Sequence, residues 1–362
     1  MLTAITFILI LFTAVLVHEG AHFLNAKSVG VAPRAFSIGM GPVLLRRRWR
    51  GTEWRISLFP IGGYVDLPGM APKVDENGDL QHPDEGMATK RIGPKLWVLS
   101  GGILANFLLG VLLVTSAVML QPAYREFTAG SASARGSEVL SVMNGSPAAQ
   151  LGLTKGDRIV SLNGVGDPTP DQVVNVIHQA DKLTIVLANG GRQRTVTTPW
   201  PPQNDVARSQ DGRPLLGISV SPVYQGVPLP QALGESAWFG VRVIPQMVRG
   251  FVQGFAQVLA GKKNSDVAGP VAMVGFVNQA TQVGLASVLF LAAVINFSLG
   301  VFNVLPIPGL DGGRMLLAGV VSLRGRPFKP GQEEQLHFIG IMAVLALIVL
   351  VTFHDLSGLI HG

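Results

Sequence analysis

Four stretches of the sequence carry almost no charged side chains, and each is long enough to cross a lipid bilayer. A hydrocarbon core of about 30 Å requires about 20 apolar residues in a helix. The whole chain is 48% hydrophobic and only 14% charged, which is too apolar for an ordinary soluble protein. The first stretch has neither the basic start nor the small-residue cleavage pattern of a signal peptide, so we expect it to be a permanent helix. We predict a polytopic α-helical membrane protein with about four transmembrane helices, at residues 1–26, 96–120, 285–313 and 336–353.

The basic residues between the predicted spans indicate the orientation of the chain. The segments 27–95 and 306–335 contain runs of Lys and Arg, whereas both tails contain neither residue. Because Lys and Arg in such loops mark the cytoplasmic side, we predict that both segments are cytoplasmic. The termini and segment 121–284 are then expected on the opposite, outer side of the membrane. The net charge of +6 reflects this asymmetry, so we expect no nucleic-acid partner.

The segment between the first two spans combines two kinds of sequence. Residues 34–66 are rich in β-branched and aromatic residues with Gly and Pro breaks, which predicts short strands against the membrane. An ordinary cytoplasmic hairpin is the alternative. Residues 70–90 are polar and contain several Pro and Gly, which favours a flexible loop.

The segment between the second and third spans has the character of a folded domain. Residues 146–164 indicate a short helix, a turn and a strand, and an amphipathic helix follows near residue 170. The sequence Asn189-Gly190-Gly191 predicts the turn of a hairpin. This pattern resembles a PDZ domain of the bacterial protease type, so we predict an inserted extracytoplasmic PDZ-like α+β domain at 128–222.

An amphipathic helix is predicted at 230–262, between the PDZ-like domain and the third span. Its apolar residues recur at intervals of three and four, and Pro245 predicts a break within it. The helix could lie on the outer membrane surface or pack against the PDZ-like domain.

The motif HEGAH, residues 18–22, lies near the end of the first predicted span. Positions i and i+4 of a helix share one face, so His18 and His22 can bind one metal ion. Neutral imidazoles suit Zn²⁺, and a catalytic zinc site has three protein ligands and a water whose pKa the metal lowers. Glu19 lies one residue further round the helix, where it can act as a general base toward that water. Ionisable residues inside a membrane helix are functional by default.

A third ligand must come from another part of the chain, and it is not a thiolate because the chain has no cysteine. Asp311 is the only acid in the stretch that ends the third span. Pro306 and Pro308 must interrupt the helix just before it, and broken helices at membrane depth occur where they line a polar cavity. Asp311 is therefore a candidate ligand, although a plain turn that closes the span explains it equally well.

Together, HEGAH and NVLPIPGLDGG at 303–313 closely resemble the site-2 protease family of intramembrane zinc metalloproteases. The resemblance extends to PIGGYV at 60–65, SGGILANF at 100–107 and DVAGPVAMV at 266–274. The PDZ-like domain points to the bacterial regulator-of-sigma-E protease branch. This resemblance implies a location in the bacterial inner membrane, with the termini and the PDZ-like domain in the periplasm.

The resemblance implies roles for particular residues. It implies that His18, His22 and Asp311 bind zinc, that Glu19 is the catalytic base, and that Asn303 holds the substrate backbone or the oxyanion. It also implies that the strands at 36–59 form a membrane re-entrant β-hairpin, which can hold an unwound substrate by strand addition.

The sequence departs from the family pattern in three places. Ile103 follows Gly102 where the family often has proline, so we expect Asn106 to serve packing only. The chain has one PDZ-like domain, whereas the best-known member of the branch has two. Asp66 follows GGYV where basic residues are common.

We therefore predict an intramembrane zinc endopeptidase that cleaves the transmembrane segments of single-span membrane proteins. The expected substrates are an anti-sigma factor, signal-peptide remnants or both, trimmed beforehand by another protease. The alternative is a membrane scaffold or transporter that binds partners through the PDZ-like domain and holds a structural metal. A transporter should show internal repeats, which the sequence lacks, and a scaffold has no use for Glu19 between two histidines.

Overall fold

The computed structural model describes residues 2–71, 73–74, 80–130, 133–201, 214–260 and 269–361. The chain divides into two compact units. One consists of Met1–Ser116 together with Ser236–Gly362, and the other is the intervening segment Ala117–Glu235.

Ten α-helices lie among the described residues. They are α1 (Leu2–Ser28), α2 (Ile92–Leu120), α3 (Arg125–Ala129), α4 (Pro147–Gln150), α5 (Pro170–Gln179), α6 (Leu229–Leu259), α7 (Pro270–Val283), α8 (Leu285–Val304), α9 (Asp311–Arg324) and α10 (Gln332–His361). Within this part of the chain, α1, α2, α8 and the first 22 residues of α10 are long and apolar enough to cross a bilayer. The prediction of a multi-pass membrane protein with four spans is confirmed.

The third span ends earlier than predicted. Helix α8 stops at Val304, and a non-helical turn containing Pro306 and Pro308 separates it from α9, which begins at Asp311. The interruption at the two prolines was predicted, but α9 was not, because its basic residues suggested a cytoplasmic loop. Helix α7 was also not predicted, and residues 266–268 of the DVAGPVAMV match lie outside the described residues.

Helix α6 runs unbroken through Pro245, so the predicted break is wrong. A proline inside a helix costs about 3 kcal/mol or more. Aromatic contacts with α8 lie on both sides of Pro245 and help to hold the continuous helix. Phe239 packs on Phe297 of α8 at a ring-centroid distance of 6.1 Å, and Phe251 packs on Phe302 at 5.7 Å.

The strands predicted near 34–66 form a hairpin of β1 (Ala35–Trp49) and β2 (Thr52–Asp66). The connecting residues Arg50 and Gly51 both have positive φ, as a tight hairpin turn requires. The hairpin folds back on itself, because residues 35–38 pair with 53–56 on one side and with 63–66 on the other. Strand β2 packs against α1.

The segment predicted as a flexible loop contains some regular structure. Strands β3 (Lys73–Val74) and β4 (Leu80–Gln81) pair, and a 3₁₀ turn follows at Gly86–Thr89. Met87 of this turn is buried in a cluster with Ala26 and Val98. Residues 72 and 75–79 lie outside the described residues.

The second unit contains an antiparallel sheet with the strand order β10-β5-β6-β8-β9, and a short strand, β7, also pairs with β6. The strands are β5 (Ser137–Val142), β6 (Arg158–Leu162), β7 (Val165–Gly166), β8 (Lys182–Asn189), β9 (Arg192–Pro199) and β10 (Ile218–Pro222). The predicted hairpin turn is confirmed, since Asn189 pairs with Arg192. The Thr169 side chain caps the predicted amphipathic helix, α5, in a capping box with Gln172.

Candidate metal centre

Helix α1 places both histidines of the HEGAH motif on one face. The imidazole rings of His18 and His22 lie with their centroids 4.7 Å apart in an edge-to-face arrangement. Their side chains are only 12% and 9% exposed. The spacing of four residues therefore brings two nitrogen ligands together, as a helix requires.

Asp311, at the start of α9, completes a group of three possible ligands with His18 and His22. The Nε2 atoms of the two histidines lie 3.2 Å apart, and Asp311 Oδ2 lies 3.2 Å from each of them. Ligands about 2.05 Å from a tetrahedral zinc ion are about 3.3 Å apart, so the three atoms have the spacing of one face of a zinc tetrahedron. The two nitrogens and one oxygen are also the donor types that a catalytic zinc site uses.

Helix α2 approaches the two histidines through residues without side chains. A Cβ atom added at Gly102 would collide with the imidazoles of both His18 and His22, and one at Gly101 would collide with the Asn25 amide. The backbone carbonyl of Val98, one turn earlier, accepts a hydrogen bond from His22 Nδ1 at 2.8 Å. The SGGILANF sequence thus supplies close contact between two membrane helices.

Asn106, which was expected to serve packing only, lies in the same site. Its side chain is buried, and its Nδ2 atom is 3.4 Å from His18 Nδ1. The spacing of four residues between Gly102 and Asn106 could have indicated a shared helix face. Sequence alone does not show that this face points at α1.

The turn that carries Asp311 is fixed by α10. The backbone N–H of Gly309 donates a hydrogen bond to His337 Nδ1 at 2.9 Å. Gly340, one turn further along α10, allows the backbone of Pro308 to approach, since an added Cβ would collide with the Pro308 carbonyl. From the sequence, His337 is an ordinary structural or surface histidine, and its contact with the turn is visible only in the tertiary structure.

Glu19 borders a small cleft between α1 and the β1–β2 hairpin. A Cβ atom added at Gly63 of β2 would lie 3.5 Å from Glu19 Cγ. Ser37 and Ile38 of β1 line the same cleft. The acid is therefore beside, and not part of, the three-ligand group.

Asn303 lies near the end of α8, where its Nδ2 donates to the Leu299 carbonyl of the same helix at 3.0 Å. This hydrogen bond orients the Asn303 amide toward the preceding turn of its own helix. Its relation to a substrate remains a prediction.

His18 and His22 on the membrane-spanning helix α1 and Asp311 at the start of α9 form a candidate metal site. A carboxylate beside this group gives it the composition of a metallopeptidase. The model of Peptidase family M50 matches residues 6–354, so the chain belongs to this family, that of the site-2 proteases.

Relatives match along nearly the whole chain. Atu1380 of Agrobacterium fabrum, which carries "zinc metalloprotease" in its name, is 32% identical, over 98% of this chain and 96% of its own length. The zinc metalloprotease RasP of Geobacillus kaustophilus is 26% identical, over 98% of this chain and 97% of its own. The protein is thus a zinc-dependent metalloendopeptidase of the membrane, and the alternative of a scaffold or transporter no longer applies.

Proposed function

We propose that this protein is an intramembrane endopeptidase that cleaves the transmembrane segments of single-span membrane proteins. The observation that carries the proposal is the convergence of His18 and His22, on the membrane-spanning helix α1, with Asp311 at the start of α9. A substrate helix inside the bilayer can reach such a site, whereas a soluble substrate cannot do so easily.

His18, His22 and Asp311 are the proposed zinc ligands. Their three ligand atoms have the spacing of one face of a coordination tetrahedron. The fourth position of that tetrahedron is left for water or substrate. Zinc, when bound, supplies Lewis acidity for attack on a peptide carbonyl. The ligands themselves hold the ion and take no part in proton transfer.

Glu19 is the proposed general base. It is adjacent in sequence to His18 but outside the ligand triangle, so its carboxylate is free to accept a proton from the attacking water. The same proton is then donated to the peptide nitrogen as the C–N bond breaks, which returns Glu19 to its ionised state.

The β1–β2 hairpin is the proposed holder of the substrate backbone. Residues 63–66 form an outer strand of the folded-back hairpin, and Gly63 lies beside Glu19. A substrate segment that adds to this edge is extended, so its peptide bonds are no longer shielded by helical hydrogen bonds. We place the hairpin in the membrane as a re-entrant element, and we assign Asn303 to the substrate backbone or the oxyanion.

The substrates proposed are an anti-sigma factor, signal-peptide remnants or both, after another protease has removed their outer domains. We assign the segment 128–222 to a periplasmic PDZ-like domain that excludes intact substrate ectodomains. The segments 27–95 and 306–335 are placed in the cytoplasm, on the strength of their Lys and Arg content.

The decisive experiment is co-expression of the enzyme with a tagged single-span protein whose outer domain has been truncated. The wild type should cleave it, and Glu19→Gln should not, because the amide cannot accept a proton. Zinc content of the purified Glu19→Gln variant should equal that of the wild type. Loss of zinc together with activity would show that Glu19 is a ligand and that the assigned role is wrong.

A further inference from the structure

Both histidines of the metal centre have a second ring nitrogen that needs a partner. The Nε2 atoms converge on Asp311, so each Nδ1 points away from the ligand triangle. A neutral imidazole that binds a metal through Nε2 carries its proton on Nδ1. In a buried site this N–H requires a hydrogen-bond acceptor.

For His22 the acceptor is already in place. Its Nδ1 lies 2.8 Å from the carbonyl oxygen of Val98, an atom that can only accept. The contact fixes the His22 proton on Nδ1 and leaves the Nε2 lone pair for the metal.

For His18 the nearest group is the side-chain amide of Asn106, which is 1% exposed. As oriented, the amide presents Nδ2 to His18 Nδ1 at 3.4 Å, so two donors face each other when Nε2 is a ligand. The other end of the amide, Oδ1, is buried and has no hydrogen-bond partner among the described residues. Half a turn about the last side-chain bond exchanges the two ends, which are similar in size.

We propose that Asn106 Oδ1 accepts the hydrogen bond from His18 Nδ1, and that Asn106 is the positioning residue that fixes the tautomer and ring orientation of this ligand. One rotation pairs the unpaired oxygen with the His18 N–H, and it moves Nδ2 to the buried position that Oδ1 now occupies. The proposal rests on the ligand assignment made above.

This assignment gives α2 a single function at the metal centre. Val98, Gly102 and Asn106 recur at intervals of four residues, so they lie on one face of the helix. Val98 orients His22, Gly102 leaves room for both rings, and Asn106 orients His18. Only the Asn106 contact is made by a side chain, so it alone can be removed by substitution.

The test is zinc affinity, measured on the purified full-length protein in detergent by competition with a chelator. Partners of metal-ligating histidines typically contribute about 10- to 100-fold to metal affinity. Asn106→Leu should therefore bind zinc about 10- to 100-fold more weakly than the wild type. Asn106→Asp retains an acceptor and should keep an affinity near that of the wild type. With Co²⁺ in place of Zn²⁺, the visible absorption of Asn106→Leu should also change.

A matched control is available on α8. Asn296 is equally buried and also has an unpaired Oδ1, while its Nδ2 donates to the Ala292 carbonyl of its own helix. Asn296→Leu should leave zinc affinity and the Co²⁺ spectrum unchanged. If Asn106→Leu does not fold, Asn106→Ala decides the question, because it only removes atoms.

Two results would overturn the proposal. The first is a wild-type zinc affinity in Asn106→Leu or Asn106→Ala. The second is a loss of zinc affinity in Asn106→Asp as large as that in Asn106→Leu, which would indicate that Asn106 acts through packing and not through a hydrogen bond. His18→Ala, measured in parallel, tests the ligand assignment separately. If His18→Ala keeps its zinc, the ligand assignment itself fails. If His18→Ala loses zinc while Asn106→Leu retains it, only the role of Asn106 fails.

Discussion

Asp311 is the proposed third zinc ligand, and without it the two histidines are one ligand short of a catalytic zinc site. We expect Asp311→Ala to lose both zinc and cleavage. Asp171→Ala, which removes an exposed acid from α5, should lose neither. Metal analysis of the purified variants measures their zinc content, and co-expression with the tagged substrate measures cleavage. Full zinc occupancy in Asp311→Ala would remove this residue from the ligand set.

Gly102 controls the approach of α2 to the histidines. Gly102→Ala would place a methyl group against both imidazoles, and overpacking of this kind typically costs about 1–3 kcal/mol. We expect the rings to be displaced and zinc content to fall. Gly93→Ala on the same helix adds its methyl group where no atom lies within 4 Å, so its zinc content should match that of the wild type. Equal zinc content in both variants would contradict the close-contact role of Gly102.

The turn between α8 and α9 depends on a third element, α10. His337→Leu would leave the Gly309 N–H without its acceptor, at a cost of about 1–3 kcal/mol. Since a loosened turn carries Asp311 less rigidly, we expect about tenfold weaker zinc binding in the chelator assay. His337→Asn, whose oxygen can replace Nδ1, should lose less. His178→Leu, in the other unit, serves as control, and equal affinity in all three variants would show that the turn holds its shape without His337.

The elements also differ in how far the sequence predicts them. The four spans follow from uninterrupted apolar stretches, and the hairpin at Asn189–Arg192 follows from a local turn sequence. Helix α6 continues through Pro245, and aromatic contacts with α8 lie on both sides of this residue. A helix break predicted from a proline alone takes no account of such contacts, because they join residues that are far apart in the sequence.

The orientation of the whole molecule can be tested with reporter fusions. A reporter that is active only in the periplasm should be active after residue 200 and inactive after residue 80 or 326. The physical basis is the concentration of Lys and Arg in the segments on either side of the spans. The reverse pattern would contradict the proposed orientation, including the periplasmic position of residues 128–222.

The role of the second unit can be tested by replacing residues 130–220 with a short linker. All proposed catalytic residues belong to the other unit, so zinc should stay bound and trimmed substrates should still be cleaved. If the domain excludes bulky ectodomains, the variant should cleave untrimmed substrates faster than the full-length enzyme. A folded, zinc-loaded variant that cleaves nothing would indicate that the domain binds substrate.

The sequence by itself determined the four spans and the helical pairing of His18 with His22, because hydropathy and a spacing of four residues act within one segment. It also marked Asp311 as a candidate, through the prolines that must interrupt the helix before it. Only the tertiary structure brought Asp311 to within 3.2 Å of His22, across 289 residues of chain. The same holds for Gly102, Asn106 and His337, whose contacts depend on which face each helix presents to its neighbours. Helix–helix packing decides those faces, and hydropathy cannot, since these helices are apolar on nearly every side.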